Sequence, residues 1–167
     1  ATPTLGFMVK HLKAPAGVQI TASHNPNPWN GLKLFNEEGR VIPKASGEKV
    51  KRFYQTLREE EFMINSNFDE DEAEEQEKEA AEVLPKPQVF QKPHAAAILK
   101  QVDAKAIKKC KFTVLLDSNH GSGSVLAPVL MKDLGCKLIF TDKKEAPDGK
   151  FIHTPEPTKE NLRKVCP

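Results

Sequence analysis

The stretch from Lys111 to Thr141 constrains the fold of this chain more than any other. It begins with KFTVLLD (Lys111 to Asp117), a nearly continuous apolar run typical of a strand buried on both faces of a parallel sheet. A glycine-rich turn, a segment with apolar residues on one side that stops at Gly135, and the apolar run Lys137 to Thr141 follow. This order predicts a βαβ unit. Two further helices are predicted beside it, at Ala95 to Val102 and from Thr158 to Val165.

The first third of the chain predicts another α/β unit. Gly17 to Ala22 and Leu32 to Phe35 are short apolar runs typical of strands, and the turn-rich loop NPNPWNG lies between them. From Ser46, a suitable N-cap, apolar residues recur at the spacing of an amphipathic helix: Val50, Phe53, Tyr54 and Leu57. We expect this helix to pack against the strands. The predicted fold class is therefore α/β, with two partial three-layer units and mixed sheets.

An acidic stretch separates the two predicted units. Residues Asp69 to Glu82 hold nine of the 23 acidic residues and one lysine. Helix formers without apolar periodicity indicate a solvated helix or a mobile linker, and an acidic docking surface is the alternative. The predicted division is 1–67 for the first unit, 68–92 for an acidic connector and 93–167 for the second unit.

Outside the acidic stretch the chain is distinctly basic, with 24 lysines and arginines against 14 acidic residues. Such a surface suits anionic small molecules such as sugar phosphates. Nucleic acid fits less well, because the basic residues are scattered and aromatic residues are not interleaved with them. We therefore expect no nucleic acid partner.

The composition is that of a globular protein, with 38% hydrophobic and 29% charged residues. No apolar run approaches the roughly 20 residues that cross a bilayer, and no signal-peptide pattern is visible. The three cysteines, Cys110, Cys136 and Cys166, are odd in number and lack CxxC spacing, which argues against a disulfide framework and a zinc site. We expect a cytoplasmic protein with no membrane partner.

The hexapeptide TASHNP (Thr21 to Pro26) places a serine and a histidine directly after a predicted strand. A serine hydrolase is a weak interpretation, because adjacent strand side chains point to opposite faces and no GxSxG motif surrounds Ser23. A phosphoryl carrier fits better, with His24, Asn25 and loop amides donating hydrogen bonds to a phosphate. If the two strands pair, Lys33 returns toward Ser23, where its amine could assist proton transfer or remain a solvated surface group.

The turn SNHGSGS (Ser118 to Ser124) joins a predicted strand to a helix and is rich in glycine. It lacks the GK[ST] ending of a phosphate loop and is not GxGxxG, so a tight structural connection is the better interpretation. His120 in this turn and His153 in the later segment FIHTPEP are interpreted as structural loop residues.

Two motifs near Ser23 resemble a known family. ITASHNP (Ile20 to Pro26) followed by WNGLK (Trp29 to Lys33) is similar to the phosphoserine loop of the α-D-phosphohexomutase superfamily, which contains phosphoglucomutases, phosphomannomutases and phosphoglucosamine mutases. The likeness extends to three further stretches: Pro3 to Leu12, Val114 to Ser124 and Pro147 to Leu162. The last two resemble successive landmarks of the family's second domain.

The resemblance implies a reversible transfer of phosphate between the 1- and 6-positions of a hexose phosphate, through a bisphosphorylated sugar. Ser23 would carry the phosphate and, through it, contribute a ligand to Mg²⁺. Lys33 matches a candidate general acid or base, His24 and Asn25 match positions flanking the phosphate, and Asn30 falls in the same substrate-binding loop. A hexose 1,6-bisphosphate is implied as the activator, and the choice among glucose, mannose and glucosamine stays open.

The sequence also departs from the family pattern. It contains no aspartate-rich DGDGDR metal loop, and the sugar-reading and phosphate-binding loops of the later domains are missing. We therefore expect a piece that covers the end of the first domain and the start of the second, and that is inactive alone. The alternative is a non-catalytic interaction module that retains the phosphoserine loop. Unpaired strand edges in two incomplete sheets predict low thermal stability or self-association.

Overall fold

Helix α1 (Thr2–His11) opens the chain in a computed structural model that describes residues 1–26, 28–64, 88–141 and 149–163. Pro3 stands in the first turn, where a missing backbone N–H removes no helical hydrogen bond. The backbone of Lys13 is left-handed just past the helix, with a φ of 52°. The sequence patterns predict no helix here, because Gly6 and the β-branched residues weaken the helical propensity.

Strands β1 (Ala16–Ile20) and β2 (Leu32–Asn36) form an antiparallel pair, in which Gln19 lies opposite Lys33. Both strands are predicted correctly, but β1 ends at Ile20 and not at Ala22. One further bond, from Thr21 N to Gly31 O at 2.8 Å, closes the pair before the chain turns. The residues of TASHNP therefore lie in a turn and not in a strand.

The chain divides into two compact units, residues 1–40 with 87–167 and residues 41–86. The second unit contains helix α2 (Lys44–Ile64). The predicted apolar stripe of this helix is exposed, since Val50, Phe53, Tyr54 and Leu57 each keep at least 46% of their surface accessible. The helix is confirmed, but it begins at Lys44, before the predicted N-cap Ser46. The expected burial of the stripe is wrong, because periodicity reports an apolar face and not the surface that covers it. The acidic stretch 69–82 lies outside the described residues.

Helices α3 (Gln88–Leu99) and α4 (Ala104–Cys110) follow. Helix α3 begins before the predicted start at Ala95, and Thr4 Oγ1 of α1 lies 3.1 Å from His94 Nδ1 in α3. Helix α4 is not predicted from the sequence. Its start is set by Asp103, whose Oδ1 accepts a hydrogen bond from Ala106 N at 2.9 Å.

The predicted βαβ unit is confirmed as β3 (Thr113–Leu116), α5 (Gly123–Asp133) and β4 (Lys137–Phe140), with the two strands parallel. Gly135 ends α5 as expected, with a φ of 65°. The expected burial of β3 on both faces is wrong. Its side chains alternate between exposed and half-buried, and Leu115 is 60% exposed, so alternate side chains face solvent.

Helix α6 (Lys159–Leu162) confirms the helix predicted from Thr158 as far as Leu162. Thr158 is its N-cap and accepts a hydrogen bond from Asn161 N at 3.3 Å. Residues 164–167 lie outside the described part of the chain, so the predicted end at Val165 stays a prediction.

The α/β class is confirmed, and the described residues form one antiparallel and one parallel sheet. Five apolar side chains are buried among the described residues: Met8, Val9, Phe35, Ala95 and Leu134. Cys110 and Cys136 are free thiols, and Cys166 lies beyond the described ranges. In those ranges, no helix has both the length and the apolar character that crossing a membrane requires. The predicted low stability and the domain boundaries at 67 and 93 stay predictions.

Burial at the contact between α1 and α3 makes the stability pH-dependent. Burial of His94 lowers its pKa below the ordinary 6.5. The unfolded chain then binds the proton at higher pH than the folded chain. The contribution of His94 to the free energy of unfolding is therefore expected to be complete above about pH 6.5. It should be lost as the pH falls through the folded pKa. Urea unfolding over a pH series measures this slope.

His94→Gln is expected to flatten that slope, because the variant has no titrating ring at this position. His11→Gln is the matched control, since the rings of His94 and His11 both stack on Phe7, with centroids 5.2 and 5.5 Å away, but His11 is exposed. An unchanged slope in His94→Gln would show that another group carries the pH dependence.

Candidate functional site

Ser23 stands at a strained point of a tight turn. Asn25 N donates to Ala22 O at 3.1 Å, and Ser23 N donates to Thr21 Oγ1 at 3.0 Å. The φ of Ser23 is 61°, in the left-handed region that disfavours residues with a Cβ. Strained backbones of this kind are found preferentially at functional sites. The turn holds the Ser23 side chain exposed, at the end of β1.

His24 lies between Ser23 and a carboxylate from a distant part of the sequence. Ser23 Oγ is 3.3 Å from His24 Nδ1, and His24 Nε2 is 2.9 Å from Glu156 Oε2. The argument that adjacent Ser and His side chains must diverge is therefore wrong, because it assumes a strand where the backbone turns. The contacts form a hydroxyl–imidazole–carboxylate chain, which is an arrangement able to move a proton to or from a serine.

The segment that carries Glu156 is held by its own turn. Glu156 O accepts hydrogen bonds from Thr158 N at 2.8 Å and from Asn161 Nδ2 at 2.7 Å. Prolines at 155 and 157 flank the glutamate and restrict the backbone, since a residue before proline avoids the helical region. The position of the Glu156 backbone is therefore well defined.

A cluster around Asp117 ties this segment to the end of β3. Asp117 Oδ2 lies 2.8 Å from His153 Nε2, and Asp117 Oδ1 accepts from Thr141 Oγ1 at 3.2 Å. Asn119 donates from Nδ2 to His153 O at 2.9 Å, and its Oδ1 accepts from Ile152 N at 2.9 Å. His153 therefore acts as an anchor of the loop, in agreement with its interpretation as a structural residue.

These elements surround a cavity of about 640 Å³. The turn with Ser23 and His24 lines it, together with Trp29, which is 68% exposed. The SNHGSGS turn lines it as well, with Ser118, Asn119, Gly121, Ser122 and Gly123. His153, Pro155 and Pro157 complete the lining. The volume lies in the range of small-molecule sites.

The SNHGSGS turn is a tight connection, as expected. Asn119 and His120 have φ values of 46° and 55°, and Gly121 N donates to Ser118 O at 2.7 Å. His120 is buried, with 4% exposure, which agrees with a structural role. The turn nevertheless faces the same cavity as Ser23, and the sequence does not predict this proximity.

Of the remaining predicted site residues, Asn25 lines the cavity, whereas Lys33 and Asn30 are not among its lining residues. Asn25 lines the cavity with Ser23 and His24. Lys33 lies on β2 opposite Gln19, and Gln19 lines the cavity. Paired residues of antiparallel strands project from the same face of the sheet. Asn30 accepts a hydrogen bond from its neighbour Gly31 N at 2.9 Å and thus shapes the loop. The structure brings Ser23, His24 and Asn25 together and places Lys33 on the same side of the sheet.

Within the described ranges, no group of three or more His, Cys, Asp or Glu side chains could hold a metal ion. The side chains around Ser23 therefore do not form a metal site by themselves. The expectation of Mg²⁺ rests on the family resemblance and on a phosphate at Ser23.

The sequence patterns do not single out Glu156, Asp117 or Asn119 as site residues. Glu156 and Asn119 meet their partners through contacts between distant parts of the chain, which local periodicity does not report. A signal is present for Glu156, since a glutamate between two prolines has a restricted backbone in a loop. Asp117 carries a weaker signal as a carboxylate at the end of a parallel strand, where sites collect in α/β proteins.

Comparison with protein families gives two matches, one in each half of the chain. Residues 1–61 match the model of phosphoglucomutase/phosphomannomutase alpha/beta/alpha domain I, and residues 92–166 match the model of domain II of the same proteins. The two matches together cover most of the chain. Ser23, His24 and Lys33 fall in the first match, and Asp117, His153 and Glu156 fall in the second.

Individual relatives agree with these matches. A phosphoglucomutase/phosphomannomutase of Thermococcus kodakarensis is 37% identical over 97% of this chain and 32% of its own length. A phosphoglucosamine mutase of Methanocaldococcus jannaschii is 33% identical over 98% of this chain and 32% of its own length. A crystal structure assigned as a phosphomannomutase from Thermus thermophilus shares the fold, with a TM-score of 0.63 and 21% identity over 96% of this chain and 32% of that one.

This chain thus spans about a third of the length of the curated relatives that it matches. Both of these relatives are named as mutases. The family models cover both halves of the described structure. The chain belongs to the phosphoglucomutase and phosphomannomutase family of the phosphohexomutase superfamily, and its sequence lies in domains I and II of that family.

Proposed function

We propose that the natural protein carrying this sequence interconverts hexose 1-phosphate and hexose 6-phosphate, with Ser23 as the phosphoryl carrier. The observation that carries the proposal is the exposed Ser23 hydroxyl, which is held at a φ of 61° on the wall of the cavity and lies 3.3 Å from an imidazole nitrogen. A carrier serine must be reachable by a sugar and must have a partner that takes and returns its proton.

The proposed first step transfers the phosphoryl group from Ser23 to the sugar. The bond between Ser23 Oγ and phosphorus breaks, and a bond between a hexose oxygen and phosphorus forms. The attacking hydroxyl gives its proton to the Lys33 amine, and the serine oxygen takes a proton from His24, the nearest titratable group. The product is a hexose bisphosphate. In the second step its other phosphoryl group returns to Ser23 by the reverse of these bond changes.

The other predicted residues have supporting roles in this proposal. Asn25 lines the cavity and could donate its side-chain amide hydrogens to a phosphate. Asn30 holds the backbone of the loop through Gly31 N, so we assign it to loop shape and to substrate binding. The Ser118 to Gly123 turn, which lines the same cavity, adds hydroxyl groups for a sugar or a phosphate.

Mg²⁺, when bound through the phosphate of Ser23, would offset negative charge on the transferring group. The described side chains provide no cluster to hold it, so no step here is assigned to the ion. A hexose 1,6-bisphosphate as activator, the sugar itself, and the cytoplasmic location stay predictions.

Mapping the phosphopeptides of the protein isolated from its natural source, with phosphatases inhibited, tests the proposal. We expect phosphate on Ser23 and none on Ser122, which is exposed, lines the same cavity and is the internal control. Dephosphorylated protein mixed with hexose 1,6-bisphosphate should regain the phosphate at Ser23. An unmodified Ser23 that accepts no phosphate would favour the non-catalytic interaction module.

A further inference from the structure

The protonation pattern of His24 follows from its two contacts. Glu156 Oε2 is 2.9 Å from His24 Nε2. An ionised carboxylate only accepts hydrogen bonds, so the proton of a neutral His24 ring lies on Nε2. The other nitrogen, Nδ1, then carries a lone pair, and this lone pair faces Ser23 Oγ at 3.3 Å. The carboxylate therefore selects the tautomer that lets Ser23 donate its hydroxyl hydrogen.

The backbone of Glu156 is prepared for this contact. Two hydrogen bonds to its carbonyl and two flanking prolines hold it, and the Asp117–His153 contact of 2.8 Å anchors the same segment to β3. His153 and Asp117 are 12% and 20% exposed, so this anchor is well shielded from water. A carboxylate on a rigid support orients its partner better than one on a mobile loop.

The contact contributes little to stability. The side chains of His24 and Glu156 are 58% and 44% exposed, and ion pairs at this exposure are weak because water screens them. Its consequence must therefore lie in the orientation of the ring and not in the free energy of folding.

We propose that Glu156 is a positioning residue for the phosphoryl carrier, and that it holds His24 in the ring orientation and tautomer in which Nδ1 receives the proton of Ser23 Oγ. This proposal rests on the proposed function and assigns a role to a residue of domain II in the chemistry of the domain I serine.

The step that it serves is the loading of Ser23 from a hexose bisphosphate. The Oγ–H bond of Ser23 breaks and its proton moves to His24 Nδ1, while Oγ forms a bond to phosphorus. The bond between phosphorus and the sugar oxygen breaks, and that oxygen takes a proton from Lys33. Glu156 keeps its charge throughout and stabilises the imidazolium that forms. The reverse step returns the proton from Nδ1 to Ser23.

A double-mutant cycle on the natural protein that carries this sequence tests whether Glu156 acts through His24. The measured quantity is the rate at which dephosphorylated protein gains phosphate on Ser23 from hexose 1,6-bisphosphate. We expect Glu156→Ala to lower this rate about 10- to 100-fold at saturating bisphosphate, with a smaller loss in Glu156→Gln, which keeps an acceptor oxygen. In a His24→Ala background, Glu156→Ala should cause no further loss.

Glu160→Ala is the matched control, since Glu160 is an exposed carboxylate of α6 in the same segment, and it should load at the wild-type rate. Urea unfolding checks that each variant keeps the wild-type stability. A full additional loss from Glu156→Ala in the His24→Ala background would overturn the proposal, and so would an unchanged rate in Glu156→Ala itself.

Nitrogen-15 NMR of the His24 ring provides a readout that needs no turnover. At alkaline pH, where imidazole is neutral, we expect a protonated Nε2 and an unprotonated Nδ1 in the wild type and in Glu160→Ala. Glu156→Ala should give a mixture of both tautomers. An identical tautomer in Glu156→Ala would overturn the proposal. If the wild-type tautomer is as expected and Ser23 takes no phosphate, the proposed function fails and the structural role of Glu156 stands.

Discussion

Replacing Ser23 by glycine is expected to remove the proposed mutase activity while leaving the fold as stable as before or more so. Loss of the hydroxyl removes the carrier of the phosphoryl group, so we expect a fall in kcat of roughly 10⁴-fold or more. At a φ of 61° a residue with a Cβ is strained by about 1–2 kcal/mol, which glycine relieves. The higher entropy of unfolded glycine offsets about 0.5–1 kcal/mol of that gain. The net change is a gain of about 0–1.5 kcal/mol.

Two measurements on the natural protein check this expectation, a coupled assay of hexose phosphate conversion and urea unfolding. Lys13→Gly is the matched control, since Lys13 has a φ of 52° and lies outside the cavity lining. It should show the same change in the free energy of unfolding and normal activity. If Ser23→Gly is clearly destabilised while Lys13→Gly shows the expected stability, the Ser23 side chain stabilises the turn. Retained activity would exclude Ser23 as the carrier.

The largest expected loss of stability comes from Gly39→Ala. Gly39 has a φ of 67°, and a Cβ built there would collide with Gly6 O and lie 2.9 Å from Gly6 C. Because both contacts are to backbone atoms of α1, the new methyl group cannot be accommodated by a side-chain rotation. The left-handed strain adds about 1–2 kcal/mol and the overpacking about 1–3 kcal/mol. The lower entropy of unfolded alanine offsets about 0.5–1 kcal/mol, so we expect the free energy of unfolding to fall by roughly 1–4 kcal/mol.

Gly149→Ala separates these two contributions. Gly149 has a φ of 70°, but a Cβ there would meet no heavy atom within 4 Å. It should therefore lose only the roughly 1–2 kcal/mol of left-handed strain, less the roughly 0.5–1 kcal/mol that alanine gains from its lower entropy in the unfolded chain. Urea unfolding measures the free energy of unfolding of both variants. If the slope of this free energy against urea concentration is unchanged, the variants differ from the wild type in stability alone. Equal losses in the two variants would show that α1 moves away from Gly39 and that their close contact is unimportant.

The contact between Gly6 and Gly39 also shows why α1 is harder to predict than the βαβ unit. A strong apolar period and a glycine stop are local, so the order β3, α5, β4 is readable from the residues alone. Helix α1 contains a glycine because a turn beyond β2 comes close to it, and that reason is absent from its own segment. The same limit explains α4, where Asp103 alone marks the start.

Burial is the property that the sequence patterns overstate. The apolar residues of β3 and of α2 predict buried faces, yet Leu115 and Phe53 are 60% and 67% exposed. An apolar pattern shows which side of an element would be buried. It does not show whether another element of this chain covers that side.

By itself the sequence determines the α/β class, the βαβ unit and the TASHNP motif that identifies the family, because these depend on neighbouring residues. Only the tertiary structure decides that β1 ends before Ser23, that Ser23 takes a left-handed backbone, and that Glu156 reaches His24. The physical reason is that such contacts depend on the path of the whole chain. The Asp117, Asn119 and His153 cluster sets that path by fixing the FIHTPEP segment against the end of β3.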